Sequence, residues 1–139
     1  MDISLCYMES GNEQLVWSGA NHDLWLLRNG EIIEYDGTKR PIGKSHTNTG
    51  FEEHKLTIHP KDKLILFTDG ITDQFGGPSG KKFKKSGLRS ALLESKEHDP
   101  EATAIHLSRA LMDWMGEQEQ IDDMTIWIVQ PYGPVEQNS

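Results

Sequence analysis

Cysteine is almost absent from this sequence. Cys6 is the only cysteine among 139 residues, so no disulfide can form within the chain. It lies in an alternating, strand-like run, which predicts a small buried hydrophobe rather than a reactive thiol. Basic residues are also few, since 14 lysines and arginines face 22 aspartates and glutamates and leave a net charge of -8. That balance argues against nucleic acid as the main partner, because binding phosphates requires a basic surface.

Long hydrophobic runs and familiar nucleophile motifs are missing too. No stretch approaches the roughly 20 apolar residues that cross a bilayer, so we expect no direct membrane contact from this segment. Asp2 stands where a signal peptide would carry a basic residue, which favours a cytoplasmic protein. The sequence has no Gly-x-Ser-x-Gly elbow, no recognisable Cys-His pair and no Gly-x-x-x-x-Gly-Lys phosphate loop. These absences argue against the enzyme classes built on those motifs.

The first half of the chain has the pattern of antiparallel hairpins. Asn29-Gly30 separates two strand-like runs, and this residue pair is the one best suited to a type I′ turn. Turn-forming residues also separate two further pairs of runs. The predicted strand pairs are 3–8 with 14–18, 24–28 with 31–35, and 55–59 with 63–67, and residues 36–53 are predicted to form a loop.

Two helices are predicted in the second half, a short one near 88–94 and a long one that begins after Asp99. Asp99 suits the N-cap and Pro100 the first helical position. Apolar residues then recur at the spacing of a helix face that packs on a sheet. They are Ala104, Leu107, Leu111 and Trp114, with Ile105, Met112 and Met115 widening the stripe. A last strand over 124–130 completes an α+β domain of residues 1–130, and residues 131–139 are predicted to be a disordered tail.

Two acidic clusters are attached to hydrophobic strands. Asp69 and Asp73 follow the run 64–67, and Asp122-Asp123 precede the run 124–129. If these strands are neighbours, Asp69 and Asp122 face each other. Two carboxylates about 4 Å apart repel by roughly 1 kcal/mol in water and roughly 4 kcal/mol at the dielectric of a protein surface. A hard cation such as Mg²⁺, Mn²⁺ or Ca²⁺ would relieve this repulsion, and the glycine- and lysine-rich segment 74–85 is predicted to form a basic flap beside it.

The motifs, taken in order over about residues 1–130, resemble the SpoIIE-type branch of the PP2C metal-dependent serine/threonine phosphatases. Either acidic motif alone would be weak evidence for this family, but the ordered set of motifs is specific for it. The matching segments are Ser18-Gly19-Ala20-Asn21, Leu24-Trp25-Leu26-Leu27-Arg28-Asn29-Gly30-Glu31, Pro41-Ile42-Gly43, Phe67-Thr68-Asp69-Gly70-Ile71-Thr72-Asp73-Gln74-Phe75-Gly76-Gly77, and Asp122-Asp123-Met124-Thr125.

This resemblance implies a PP2C-like β-sandwich with flanking helices, here present only in part. It implies that Asp69 and Asp122 are metal ligands and act in catalysis through a metal-bound water, in a centre of two Mn²⁺ or Mg²⁺ ions. Asp123 would act in the second shell or cap the following turn. For Asp73 a structural hydrogen bond is favoured over metal contact, and Gly70 is a further second-shell candidate.

One motif of that family is missing from the sequence. The family's Gly-Asp-x-x-Gly-His-Gly segment, whose aspartate bridges the two metals, has no counterpart here. We therefore expect the chain to be the C-terminal part of the catalytic domain of a longer protein and to have little phosphatase activity alone. Strand faces and edges left uncovered predict a homodimer or strand exchange.

The resemblance also implies a partner, a phosphorylated regulatory protein such as an anti-sigma-factor antagonist. The full-length parent could then be a membrane-bound sensor with this part in the cytoplasm. An alternative function is a non-catalytic protein-interaction module derived from a phosphatase domain. A haloacid-dehalogenase-like phosphatase fails on spacing, because Phe67 occupies the position of its nucleophilic aspartate.

Overall fold

The computed structural model describes residues 1–43 and 50–132. The described chain contains nine strands and three helices. They are β1 (Ile3–Met8), β2 (Gln14–Ala20), β3 (Leu24–Arg28), β4 (Glu31–Tyr35), β5 (Glu53–Thr57), β6 (Lys63–Phe67), α1 (Asp69–Thr72), β7 (Phe75–Gly76), β8 (Lys81–Lys82), α2 (Lys84–Glu94), α3 (Pro100–Met115) and β9 (Ile126–Val129). The predicted α+β class is confirmed.

The strands form two main antiparallel sheets and one small hairpin. One sheet has the order β1-β2-β5, the other has the order β4-β3-β6-β9, and β7 pairs with β8. The hairpins β1–β2 and β3–β4 are confirmed. Asn29 and Gly30 have φ angles of 50° and 75°, as a type I′ turn requires.

The third predicted hairpin is wrong, because β5 and β6 belong to different sheets. β5 pairs with β2, whereas β6 pairs with β3 and β9. The turn between them carries the chain from one sheet to the other. Asp62, which is buried, holds this turn by accepting hydrogen bonds from the His59 amide at 2.7 Å and from Arg28 Nη2 at 2.7 Å.

The two central strands of the four-stranded sheet, β3 and β6, are buried on both faces, and the sheet separates two hydrophobic clusters. Trp25, Ile65 and Phe67 point to the helices and pack with residues of α1, α2 and α3. Leu24 and Leu64 alternate with them and pack against the three-stranded sheet. The nearly continuous apolar sequences of β3 and β6 follow from this position, since a central strand needs apolar side chains on both faces.

The helices cover one face of the four-stranded sheet. The side chain of Asp99 caps α3 by accepting a hydrogen bond from the Ala102 amide at 2.7 Å, as predicted. The predicted stripe was too wide, because Ile105 and Met112 are exposed. α2 begins four residues before the predicted start at residue 88. Two elements were not predicted: α1, which lies in the first acidic cluster, and the β7–β8 hairpin, which lies in the predicted basic flap.

Lys63 fastens the helices to β6. It is only 3% exposed, and its ammonium donates to Ser95 O at 3.2 Å, His98 O at 2.8 Å and Thr103 Oγ1 at 2.9 Å. Burial lowers the pKa of Lys63 below its ordinary value. The three acceptors lie at and after the end of α2 and in α3, so one buried side chain positions the junction of the two helices.

The edge strands β1 and β9 carry exposed apolar side chains. Cys6 is exposed on the edge strand β1, so the prediction of a buried cysteine is wrong. Leu5 on β1 is 64% exposed and Trp127 on β9 is 65% exposed. The reason is topological, because an alternating strand buries its side chains only where a second layer covers it.

The ends of the predictions fall partly outside the described residues. Residues 44–49 of the predicted loop and 133–139 of the predicted tail lie there. Tyr132 is described and packs, partly buried, against the cluster between the sheets. Within the described ranges, none of the helices combines the length and the apolar character that crossing a membrane would take.

Candidate functional site

The two acidic clusters meet at one end of the four-stranded sheet. β6 and β9 are antiparallel neighbours with Phe67 opposite Ile126. The residues that follow β6 therefore lie beside those that precede β9. Asp69 and Asp122 are both exposed at this end. The hypothesis that the two strands are neighbours is confirmed, and it places the two predicted ligands at a common edge.

Thr68 and Thr125 join the two clusters through hydrogen bonds. The Thr68 amide donates to Thr125 O at 3.0 Å, and the Thr125 amide donates to Thr68 Oγ1 at 3.0 Å. Thr68 directly precedes the predicted ligand Asp69, and Thr125 follows the predicted ligand Asp122 by three residues. The sequence analysis did not single out either residue. Their position between a strand and an acidic cluster was the available signal.

Gly70 allows the two backbones to approach closely. A Cβ atom on Gly70 would lie 2.0 Å from the Asp123 carbonyl oxygen and 3.5 Å from the Asp122 Cβ. No side chain fits at the first of these distances. Gly70 thus has a steric role in setting the spacing of the two clusters, and its predicted second-shell role stays a prediction.

Asp69 begins α1, a single turn anchored by a buried residue. The Asp69 carbonyl accepts from the Asp73 amide at 2.8 Å and from Thr72 Oγ1 at 3.2 Å. Ile71 is 2% exposed and belongs to the cluster beneath the helices. The turn is therefore fixed to the core, while the Asp69 side chain remains at the surface.

Asp73 and Asp123 have different local contacts. Asp73 forms an ion pair with Lys82 at 3.5 Å. The Asp123 amide donates to Asp122 Oδ1 at 2.8 Å, so the carboxylate of Asp122 orders the turn that leads to β9. The described contact of the Asp73 carboxylate is thus with β8, and its predicted structural hydrogen bond to the turn stays a prediction. Whether Asp123 acts beyond this turn stays a prediction.

Gln74 positions the segment that carries Asp122. It is fully buried, and its amide nitrogen donates to Glu119 O at 2.8 Å and to Phe75 O at 3.0 Å. The backbone carbonyl oxygen of Gln74 accepts from Trp114 Nε1 at 3.3 Å. The sequence analysis missed this role, because the partner Glu119 is 45 residues away along the chain.

A cavity of about 260 Å³ adjoins the acidic edge between β1 and the four-stranded sheet, with Thr68, Thr125 and Trp127 among its lining residues. Asp23 also lines this cavity. Burial alone would raise the pKa of Asp23, but hydrogen bonds from the Gly37 amide at 3.0 Å and from Lys85 Nζ at 3.0 Å outweigh it. The pKa of Asp23 therefore lies below its ordinary value. Sequence reasoning did not identify this carboxylate.

The chemistry of the acidic edge suits a hard divalent cation, because the candidate ligands are carboxylate oxygens. The set is incomplete, however. Over residues 1–43 and 50–132 no group of three or more histidine, cysteine, aspartate or glutamate side chains lies in a position to hold a metal ion. The described part of the chain therefore offers a pair of carboxylates rather than a full coordination shell.

Comparison with known proteins identifies the family. The sequence model of the family described as Stage II sporulation protein E (SpoIIE) matches residues 1–132. The chain belongs to the SpoIIE family. No curated protein sequence matches it, but many solved structures do. For a SpoIIE-family chain these neighbours are the expected ones, since they are PP2C-type phosphatase domains.

The SiaA-PP2C domain of Pseudomonas aeruginosa is 27% identical, with a TM-score of 0.83 over 93% of this chain and 51% of that one. The phosphatase domain of the cell fate determinant SpoIIE from Bacillus subtilis is 16% identical, with a TM-score of 0.69 over 93% of this chain and 57% of that one. The catalytic domain of the serine/threonine phosphatase PstP, in complex with 2 manganese ions, is 18% identical, with a TM-score of 0.57 over 91% of this chain and 56% of that one.

These comparisons confirm the PP2C-like fold and the family. The likeness to the second and third structures concerns the fold alone. The SpoIIE-family chain spans about half the length of the phosphatase domains that it matches. At the level of the family, the chain is related to protein phosphatases, which are hydrolases.

Proposed function

We propose that Asp69 and Asp122 bind a divalent cation, Mn²⁺ or Mg²⁺, in an enzyme that removes phosphate from phosphoserine or phosphothreonine. The observation that carries the proposal is the pairing of β6 with β9, which brings both carboxylates to one edge. When bound, such a cation would lower the pKa of a coordinated water and screen the charge of the phosphate. PstP, which shares the fold, was solved with 2 manganese ions.

The residues around the pair would orient the two ligands. The hydrogen bonds between Thr68 and Thr125 fix the two backbones relative to each other. Gly70 lets them approach, and Gln74 holds the segment before Asp122. Side chains held by such a supporting layer lose less freedom when a ligand binds than side chains on a free loop.

A centre of two metal ions needs more ligands than this pair supplies. Among the described residues no group of three His, Cys, Asp or Glu side chains is placed to hold a metal ion, and the chain spans about half of the related domains. We propose that the remaining ligands come from the part of those domains that the chain does not span. The chain by itself would then bind a cation weakly and hydrolyse little phosphate.

The proposed substrate is a phosphorylated regulatory protein, such as an anti-sigma-factor antagonist, and the proposed compartment is the cytoplasm. Both proposals rest on the family resemblance. The cavity next to Thr68 and Thr125 provides space beside the acidic edge, but its lining identifies no particular protein.

The test is Mn²⁺-dependent phosphate release from a phosphoserine peptide, measured on the full-length protein and on residues 1–139. We expect activity in the full-length protein and its loss in Asp69→Asn and Asp122→Asn. Asp113→Asn is the matched control, because Asp113 is an exposed carboxylate on α3. Undiminished activity of either ligand variant would refute the roles given to the pair, and robust activity of residues 1–139 alone would refute the need for further ligands.

A second candidate is the non-catalytic interaction module. The observation in its favour is the lack of a third ligand among the described residues. This candidate predicts no metal-dependent activity in the full-length protein under any condition. The same assay therefore separates the two functions.

A further inference from the structure

Lysines are concentrated on one surface of this acidic chain. Lys81, Lys82, Lys84 and Lys85 fall within five residues, although the chain has only 14 basic residues and a net charge of -8. They span β8 and the start of α2, and all four are exposed. A local positive surface on a negative protein attracts acidic ligands selectively, because the surrounding charge repels them elsewhere.

Two of the four lysines form ion pairs within residues 1–43 and 50–132. Lys82 pairs with Asp73 at 3.5 Å and Lys85 pairs with Asp23 at 3.0 Å, and these two lysines remain 47% and 50% exposed. Within residues 1–43 and 50–132, Lys81 and Lys84 form no ion pair. Two ammonium groups are therefore available to a partner.

The local stability of α2 does not account for Lys84, which forms no ion pair within the described residues. Lys84 and Lys85 occupy the first turn of α2, which contains no acidic residue, and positive charge there opposes the helix dipole. Lys84 also has a φ of 65°, a left-handed conformation that is uncommon outside glycine. Residues that break local rules without a structural gain tend to serve function.

The lysines border a groove with an aromatic floor. This lysine groove has a volume of about 360 Å³. The residues that line it are Lys81, Lys82, Phe83, Lys84, Ser86, Gly87, Ser90 and Trp114. The rings of Phe83 and Trp114 are 5.9 Å apart. A Cβ on Gly87 would lie 2.7 Å from the Phe83 ring, so the glycine leaves room for this ring. The aromatic rings suit an apolar side chain, and Lys81, Lys82 and Lys84 suit neighbouring carboxylates.

The groove also lies next to the acidic edge. Lys82 contacts Asp73, which caps the end of α1, and Asp69 is the first residue of that helix. Four residues of helix correspond to about 6 Å along its axis. A chain segment held in the groove would thus lie beside the proposed ligands, at a distance that a few extended residues can span.

We propose that the lysine groove docks an acidic segment of the phosphorylated protein partner, with an apolar side chain on the aromatic floor. The identity of this segment as part of a substrate rests on the proposed function. Docking itself depends only on charge and shape. A protein segment is favoured over nucleic acid, because the net charge of -8 on the chain repels a long polyanion.

The test is fluorescence anisotropy with a labelled peptide in which Asp and Glu residues flank a single Leu, in EDTA and without any phosphate group. We expect binding by residues 1–139 that weakens as salt is added. The double variant Lys81→Gln/Lys84→Gln should bind about tenfold more weakly. The control Lys55→Gln/Lys61→Gln carries the same charge change at exposed positions of β5 and the β5–β6 turn, and should stay within about twofold of the parent.

Three results would overturn the proposal: no binding by the parent chain, equal weakening in both double variants, or equally tight binding of a single-stranded oligonucleotide with the same dependence on Lys81 and Lys84. The peptide carries no phosphate and EDTA removes metal, so failure here leaves the metal pair untouched. Conversely, Asp69→Asn should bind the peptide as well as the parent does. The two proposals can therefore fail separately.

Discussion

Replacing Gly70 with alanine sets two effects of opposite sign against each other. Gly70 is a helical residue of α1, where alanine is intrinsically favoured by about 1 kcal/mol. Its Cβ would, however, lie 2.0 Å from the Asp123 carbonyl oxygen. That oxygen belongs to the backbone and cannot rotate away as a flexible side chain would.

The steric effect should exceed the helix propensity. Ordinary contact begins near 3.4 Å, so the backbone at Asp123 or α1 must move by more than 1 Å. Overpacking of this kind costs about 1–3 kcal/mol, and the shift would also strain the hydrogen bonds between Thr68 and Thr125. After the propensity gain of about 1 kcal/mol is subtracted, we expect a net loss of up to about 2 kcal/mol in the free energy of unfolding.

Urea denaturation measures this loss, and Gly50→Ala provides the control. A Cβ on Gly50 meets no atom within 4 Å, and Gly50 has no positive φ. Gly50→Ala should therefore be neutral or stabilising by up to about 1 kcal/mol. If Gly70→Ala proved as stable as Gly50→Ala, the close approach of the two acidic clusters would be refuted.

Three further predictions concern the buried and exposed charges and the sheet edge. Lys63→Met should lower the free energy of unfolding by about 2 kcal/mol in urea denaturation, since three acceptors lose their donor. The control Lys61→Met, at an exposed position, should change the free energy of unfolding by less than about 0.5 kcal/mol. Equal effects of the two substitutions would contradict the role of Lys63. Asp23→Asn should destabilise the chain at neutral pH. The difference in unfolding free energy between variant and parent should vanish as the pH falls below 3.8, the ordinary pKa of aspartate, and through the lower pKa of folded Asp23. A difference that does not depend on pH would argue against the ion pair of Asp23. Sedimentation velocity should show self-association of the parent that Trp127→Lys weakens, because Trp127 is 65% exposed on an edge strand, and a parent monomeric at every concentration would refute this.

Local sequence signals predicted the elements whose causes are local. Asn29-Gly30 specified its turn through the positive φ angles of both residues, and Asp99 specified the start of α3 through its capping hydrogen bond. The pairing of β5 with β6 was predicted from proximity along the chain, and that inference failed. The alternating burial of β5 and the continuous burial of β6 distinguish an outer sheet from a central one.

The candidate site was predictable only in part, for a similar reason. Asp69 and Asp122 could be found because each adjoins a hydrophobic strand. Gln74 and Asp23 could not, since their partners Glu119 and Lys85 are 45 and 62 residues away along the chain. The exposure of Cys6 likewise depends on which strand lies at the edge of its sheet, and a single alternating run does not contain that information.

The most direct test of the shared metal pair is a titration of residues 1–139 with Mn²⁺, followed by the paramagnetic broadening of backbone amide signals. The account predicts that the signals around Asp69 and around Asp122 broaden together at the lowest Mn²⁺ concentrations. Asp69→Asn should abolish the broadening at both clusters, and so should Asp122→Asn. The control Asp113→Asn should leave the broadening at both clusters unchanged. Broadening at only one cluster, or no stronger than at exposed carboxylates elsewhere, would contradict the claim that the two aspartates hold one cation.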